Sequence, residues 1–153
     1  MDMSKYVQSM NNAFDNFSKK FDALVILDAN TSKRMASSPN WHASDAEQVS
    51  MVNAFKDTSV TTLSYEGKEF KIHPRSYDHV LTAYREEGDD YRHLMLRIDG
   101  DVVAVAYTSN FLQVNELWLD KANFTPLFGA VKAFSGAAKA CGAIAGAISA
   151  AFG

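Results

Sequence analysis

Few side chains of this 153-residue chain could carry out acid–base or metal chemistry. Histidine is the side chain that titrates near neutral pH, and the chain has four: His42, His73, His79 and His93. His73 and His79 flank the loop 74–78 and could meet across a hairpin as an acid–base or metal-binding pair. Solvated histidines at strand ends are the simpler interpretation, because no further ligand stands at a spacing typical of a metal site.

The motifs that usually mark catalysis are missing from the sequence. It contains no glycine-rich phosphate loop, no nucleophilic serine in a strand-to-helix turn, and no catalytic arrangement of cysteine and histidine. The single Cys141 excludes an internal disulfide and any zinc site built from several cysteines. We therefore expect no enzymatic activity and no cofactor, and we expect the function to lie on the surface of the protein.

Composition and charge narrow the class of protein further. The chain is 47% hydrophobic and 22% charged with a net charge of −3, which is typical of one globular domain and not of a nucleic-acid binder. The first ten residues lack the apolar core of a secretory signal. The apolar stretch after Lys139 is shorter than the roughly 20 residues of a membrane span. These features predict a cytoplasmic protein without a transmembrane segment.

The first third of the chain predicts a helix followed by a hairpin. Apolar residues recur at steps of three and four between Met3 and Phe21, as on one side of an amphipathic helix. An apolar run of strand length at 23–27 is followed by a turn at 28–32 and a second strand at 33–37. Pro39 ends that strand.

A second helix is predicted next. Ser44 and Glu47 have the spacing of a capping box, in which the two side chains satisfy amides at the start of a helix. Val49, Val52 and Phe55 mark the side of this helix that we expect to be buried.

The hydrophobic period then changes to two, which predicts a meander of antiparallel strands at 60–65, 69–73, 79–85, 91–98 and 102–108. Glu66 with Gly67, and Asp99 with Gly100, have the composition of two-residue hairpin turns. Alternation from Leu94 to Ile98 suggests that Leu94 and its alternate neighbours face the core while Met95 and Arg97 face outward.

The last element is a glycine- and alanine-rich helix over about 126–151. Thr125 and Pro126 favour a helix start, since threonine caps well and proline suits the first turn. Small residues would let this helix pack closely on the sheet or on the first helix.

Three local stretches follow one another along the chain: Arg34-Met35-Ala36-Ser37-Ser38, Ser44-Asp45-Ala46-Glu47 and Tyr65-Glu66-Gly67-Lys68-Glu69-Phe70. These stretches and their order resemble the profilin family of actin-monomer-binding proteins. The resemblance covers about residues 4–110. It implies an α+β fold in which a central antiparallel sheet of about six or seven strands is packed by N- and C-terminal helices, as one profilin-like domain over residues 1–153.

The resemblance also implies two binding surfaces. The family binds monomeric actin through its later strands and the start of its last helix, and so regulates filament assembly and nucleotide exchange. Carried over residue by residue, that surface comprises Lys68, Lys71, Arg75, Tyr84, Arg85, Arg92, Arg97, Phe128 and Lys132. Glu69 stands where the family usually has a lysine, unless the register shifts by one to Lys68.

The second surface of the family binds proline-rich segments between the first and last helices. Here it would comprise Met3, Tyr6 and Met35, and only Tyr6 keeps the aromatic character of the family, because both usual tryptophan positions carry methionine. The chain also ends without the usual tyrosine. We therefore predict weak or absent binding of proline-rich proteins. Phosphoinositide binding is a further family property, and we expect it to be weak here because the chain is acidic. We also expect the protein to be a monomer.

Two other classes share a mixed helix–sheet architecture. A longin- or roadblock-like scaffold for small GTPases usually places strands before its long helices and tends to dimerise. A sensor related in architecture to PAS or GAF domains would need an internal ligand cavity, and no polar cluster in the sequence marks one.

Overall fold

The computed structural model describes residues 3–75, 79–110, 118 and 121–140. Its elements run in the following order: α1 (Ser4–Ser18), β1 (Ala23–Asp28), β2 (Arg34–Ser37), α2 (Asp45–Asn53), β3 (Thr62–Tyr65), β4 (Lys68–Ile72), β5 (Val80–Glu87), β6 (Asp90–Asp99), β7 (Val102–Thr108), a 3-10 turn (Lys121–Asn123) and α3 (Thr125–Ala140). The predicted C-terminal helix thus begins at Thr125. Its expected continuation over 141–151 lies outside the described residues.

The strands of the described part form one sheet in the order β2-β1-β7-β6-β5-β4-β3. Every neighbouring pair is antiparallel, so β3 to β7 are a meander and the N-terminal hairpin joins its far side through β1 and β7. The prediction of an α+β fold with a central antiparallel sheet between N- and C-terminal helices is confirmed.

Three tight turns fix the register of the meander. The loop Glu66–Gly67 has two residues with positive φ, at 54° and 72°, as the right-handed twist of a hairpin favours. Gly88 and Gly100 have φ values of 62° and 61°. Because Asp99 pairs with Val102, the last turn is Gly100–Asp101, one residue later than the sequence predicted.

Helices α1 and α3 pack on each other and cover one face of the sheet, which we call the α1/α3 face. Its core contains closely spaced rings: the centroids of Phe17 and Phe124 are 4.9 Å apart, and those of Trp118 and Phe124 are 4.8 Å apart, edge to face. Such pairs add to the stabilisation that the buried apolar area provides. Trp118 is fully buried.

Helix α2 and the segment before it cover the opposite face, which we call the α2 face. Trp41 is buried there against Tyr65, with ring centroids 4.8 Å apart. The predicted capping box is confirmed: Glu47 N donates to Ser44 Oγ (3.1 Å), and Ser44 N donates to Glu47 Oε1 (2.9 Å). Val49, expected on the buried side of this helix, is instead 53% exposed.

The middle of strand β6, residues 94–97, is buried on both faces, which corrects the expectation that Met95 and Arg97 face outward. Met95 is fully buried and Arg97 is only 3% exposed. Arg97 donates from Nη1 to the Trp118 carbonyl oxygen (3.0 Å), and its guanidinium lies 4.9 Å from the centre of the Phe124 ring. Alternation alone could not show that a second layer of helices covers this face.

Candidate functional site

The outer end of the β5–β6 hairpin presents side chains that the helices leave accessible. Along β5, Val80 is buried beneath the helices, whereas Tyr84 is half-buried on the same face. Register then places His93 and Lys71 on either side of Tyr84, because β6 and β4 pair with β5 at these positions. Tyr91, two residues before His93, is 49% exposed.

Four rings gather at this position, and we call them the ring patch: His73, Tyr84, Tyr91 and His93. His73 and Tyr84 have ring centroids 4.6 Å apart. Tyr91 lies 6.3 Å from Tyr84 and 6.3 Å from His93, the latter pair stacked at 27°. Three strands contribute, so the patch is held by the sheet and not by a loop. A rigid, partly exposed aromatic surface is the usual centre of a protein–protein contact.

The two histidines of the ring patch are held toward their neutral forms. Burial lowers the pKa of His73 below 6.5. Burial also lowers the pKa of His93, with further contributions from the charges of His73 and Arg92. At neutral pH the patch is therefore aromatic and uncharged, with the exposed Lys71 beside it.

A group of charges lies on the opposite face of the same hairpin, and we call it the Glu87 cluster. The Glu87 carboxylate lies 3.1 Å from Arg92 Nε, 3.6 Å from Arg85 Nη2 and 4.0 Å from Lys68 Nζ. The guanidinium of Arg85 also lies 5.3 Å from the centre of the Phe70 ring. Three cations thus surround one carboxylate, close to the acidic turn residues Glu86, Asp89 and Asp90.

Four residues of the expected actin-binding set lie elsewhere. Arg97 and Phe128 are both 3% exposed and belong to the interior of the α1/α3 face. Arg75 donates to the carbonyl oxygens of Ala54 (2.7 Å) and Val60 (2.9 Å), which fastens the segment after α2. Lys132 pairs with Asp99 at 2.8 Å, at the opposite end of β6.

The structure therefore separates the nine residues of the expected actin-binding set into two groups. Lys68, Lys71, Tyr84, Arg85 and Arg92 come together around the outer end of the β5–β6 hairpin, on its two faces. Tyr91 and His93 were not among the binding residues expected from the sequence, and His73 was expected only as part of a histidine pair. The pairing register across β4, β5 and β6 would have found them, since it aligns these residues with Tyr84.

The three residues expected to bind proline-rich segments do not form an open aromatic surface. Met35 is 4% exposed and lies in the core of the α1/α3 face. Met3 and Tyr6 are half-buried and pack against that core. The Nζ atom of Lys5 lies 5.0 Å from the centre of the Tyr6 ring.

Residues 3–75, 79–110, 118 and 121–140 contain no group of three or more His, Cys, Asp or Glu side chains placed to bind a metal ion. In the same part of the chain, no helix combines the length and the apolar character needed to span a membrane.

No protein-family model matches the chain, and no curated protein matches it. Solved structures do match. LokiProfilin1 is 13% identical, and the match covers 88% of this chain and 95% of LokiProfilin1, with a TM-score of 0.53. A chain of the LokiProfilin1/rabbit actin complex is 12% identical, with coverages of 88% and 94% and a TM-score of 0.51. Profilin IB of Acanthamoeba castellanii is 11% identical, with coverages of 80% and 90% and a TM-score of 0.51. The chain thus has the profilin fold, as the sequence resemblance implied.

Proposed function

We propose that this protein binds monomeric actin one to one and so regulates filament assembly and nucleotide exchange, without catalysing a reaction itself. The observation that carries the proposal is the fold it shares with LokiProfilin1, which has been solved in complex with rabbit actin. The corresponding location is the cytoplasm, in association with the actin cytoskeleton.

The proposed actin-binding surface is the outer end of the β5–β6 hairpin. It combines the ring patch, the Glu87 cluster and Lys71. Aromatic and arginine side chains in such a surface usually carry most of the binding energy, and single cations such as Lys71 and Arg92 can pair with acidic side chains of a partner. Because the hairpin is held in one sheet with β4, a partner that binds it pays little conformational entropy to order its backbone.

Four expected residues are left out of this surface for physical reasons. A partner cannot reach Arg97 or Phe128 without opening the core, and the guanidinium of Arg75 lies against the segment after α2, where it donates to the carbonyls of Ala54 and Val60. Lys132 pairs with Asp99, eight residues along β6 from Tyr91, a distance of about 26 Å in an extended strand.

Binding of proline-rich proteins is proposed to be weak or absent. Polyproline helices are usually recognised by stacked aromatic rings that line an open groove. Here Met35 is buried, and Tyr6 is the only aromatic member of the expected set. Phosphoinositide binding is proposed to be weak, since the basic side chains of the Glu87 cluster are already engaged with a carboxylate.

The decisive experiment combines pyrene-actin polymerisation with a direct titration of monomeric actin. We expect dose-dependent slowing of assembly and one-to-one binding. An oligoproline peptide titrated in parallel should show no binding in the micromolar range. If actin does not bind at about tens of micromolar, the fold stands and the proposed function is lost. Micromolar binding of the oligoproline would overturn only the proposal about the second surface.

A further inference from the structure

Strand β2 forms one edge of the sheet, and an open groove of about 540 Å³ runs between this strand and helix α2. On its inner side, the backbone of β2 and its flanking residues pairs with β1. Ser38 N donates to the Leu24 carbonyl (2.8 Å), and Asp28 N donates to the Lys33 carbonyl (2.9 Å). No strand of the described part of the chain pairs with the outer side of β2. The backbone of this edge can therefore accept a further strand.

The wall of the groove opposite β2 carries an exposed apolar side chain. Val49 of α2 is 53% exposed, and with Tyr91 it is one of two large apolar side chains found exposed among the described residues. An added strand would bring every second side chain toward such a wall, since side chains alternate along a strand. Val49 would thus contact one apolar residue of the occupant.

The charge at the edge favours an acidic occupant. Lys33 and Arg34 line the groove, and neither forms a salt bridge with a carboxylate of the described residues. Asp45 is the acidic residue of the lining, so the two cations leave a net positive groove on a chain whose total charge is −3.

The guanidinium of Arg34 is held in place before any partner arrives. Its Nε donates to Gln48 Oε1 (2.8 Å), and its Nη2 donates to the Ala43 carbonyl (2.8 Å). Gln48 is only 1% exposed and also accepts from Trp41 Nε1 (3.1 Å). This preorganisation lowers the ordering cost of binding a carboxylate.

We propose that the groove between β2 and α2 binds an extended acidic peptide segment, which adds to the sheet as a strand along β2. Its backbone would pair with the outer edge of β2, its carboxylates would face Lys33 and Arg34, and an apolar side chain would pack on Val49. A second copy of β2 is a poorer occupant, because its residues 33–37 would bring two more cations and no carboxylate to the groove.

The test uses the full chain and a fluorescein-labelled peptide of glutamates around one central valine, which carries carboxylates on both faces of a strand, with binding followed by anisotropy and by amide shifts of ¹⁵N-labelled protein. We expect saturable binding with shifts centred on 33–37 and 49. Two control peptides, one with lysine for glutamate and one with proline for the central valine, should bind at least about tenfold more weakly, because they lose the charge or a backbone donor.

Protein variants separate the groove from other surfaces. Lys33→Glu reverses an exposed charge and should weaken the acidic peptide by about tenfold, whereas Lys5→Glu on α1 should not. Val49→Ser should weaken it severalfold. Equal binding of the lysine peptide, shifts confined to the ring patch, or no binding up to about 1 mM would each overturn the proposal. If the protein dimerised and Lys33→Glu strengthened the dimer, the edge of β2 would be assigned to a second copy, and the peptide proposal would be overturned as well.

Discussion

His73 and Tyr84 lie ring against ring, with centroids 4.6 Å apart and planes 30° apart, although His73 directly follows β4 and Tyr84 lies in β5. The contact follows from the register in which Lys71 pairs with Tyr84 and Ile72 pairs with Ala83. It places a partly exposed tyrosine on a rigid base, where a partner can bury it without first ordering it. The ring patch is therefore the part of the proposed actin-binding surface whose truncation should matter most.

Replacing Tyr91 by alanine should weaken actin binding by about tenfold or more. Its ring is 49% exposed, so its removal costs the fold little but takes away apolar area that a partner would bury. The measurement is a monomer-binding titration together with chemical denaturation. Val49→Ala is the matched control, because it truncates the other exposed apolar side chain at a distant element. Equal affinities of the two variants would remove the ring patch from the interface.

Reversing Arg92 to glutamate should also weaken actin binding by about tenfold, and the wild-type affinity should fall with salt more steeply than that of the variant. Arg92 Nε lies 3.1 Å from Glu87 in the only cluster of three cations that the described residues form around one carboxylate. Lys132→Glu is the control, since it reverses a paired cation at the other end of β6. A loss of affinity in both variants alike would point to net charge and not to this surface.

Sequence patterns predicted the helices and strands more fully than the residues of the candidate site. The capping box of Ser44 and Glu47 is local, so its spacing sufficed. The strands of the meander could be predicted from the alternation of apolar and polar residues, because tight turns separate one strand from the next. Arg97 was assigned to the surface because alternation gives the face of a strand but not what covers it. The ring patch was missed because it depends on register among three strands, which no single stretch of sequence contains.

Arg97→Glu should unfold or strongly destabilise the protein, so a loss of actin binding in that variant would say nothing about an interface. The guanidinium is 3% exposed and donates to the Trp118 carbonyl, and a carboxylate there would be a buried anion facing a carbonyl oxygen. Leaving a buried group unpaired costs about 1–3 kcal/mol, and more when it is charged. Chemical denaturation of Arg97→Glu beside Arg92→Glu tests this. Similar unfolding midpoints would contradict the burial of Arg97.

The two ring-patch histidines should make the protein less stable as the pH falls through about 6.5. Their folded-state pKa values lie below the ordinary value of 6.5, so between those pKa values and 6.5 the unfolded chain binds more protons than the folded one. The free energy of unfolding therefore rises with pH across this window. Denaturation curves at several pH values should show a flatter dependence for the double variant His73→Gln/His93→Gln. If the double variant showed the same dependence of unfolding free energy on pH as the wild type, the pKa values of His73 and His93 would not be lowered by folding.

Glu47 should contribute to stability beyond its role in the capping box, because its second oxygen ties α2 to the β3–β4 hairpin. Oε2 accepts from Ser64 Oγ (2.7 Å) and from Gly67 N (3.0 Å). Glu47→Ala should cost about 1–2 kcal/mol, near the upper end for a lost cap. Asp45→Asn, which neutralises the other acid of the same turn, is the control and should cost less.

The contribution of Glu47 should also depend on pH with a definite sign. Burial raises the pKa of this carboxyl, but its hydrogen bonds from Ser64, Ser44 and Gly67 lower it more, so the net pKa lies below 4.5. The stability it provides is therefore complete above about pH 4.5 and is lost as the pH falls through the folded-state pKa. The difference in unfolding free energy between the wild type and Glu47→Ala should shrink on acidification. A difference that stays constant from neutral to acidic pH would show that the charge of Glu47 is not what holds the hairpin to the helix.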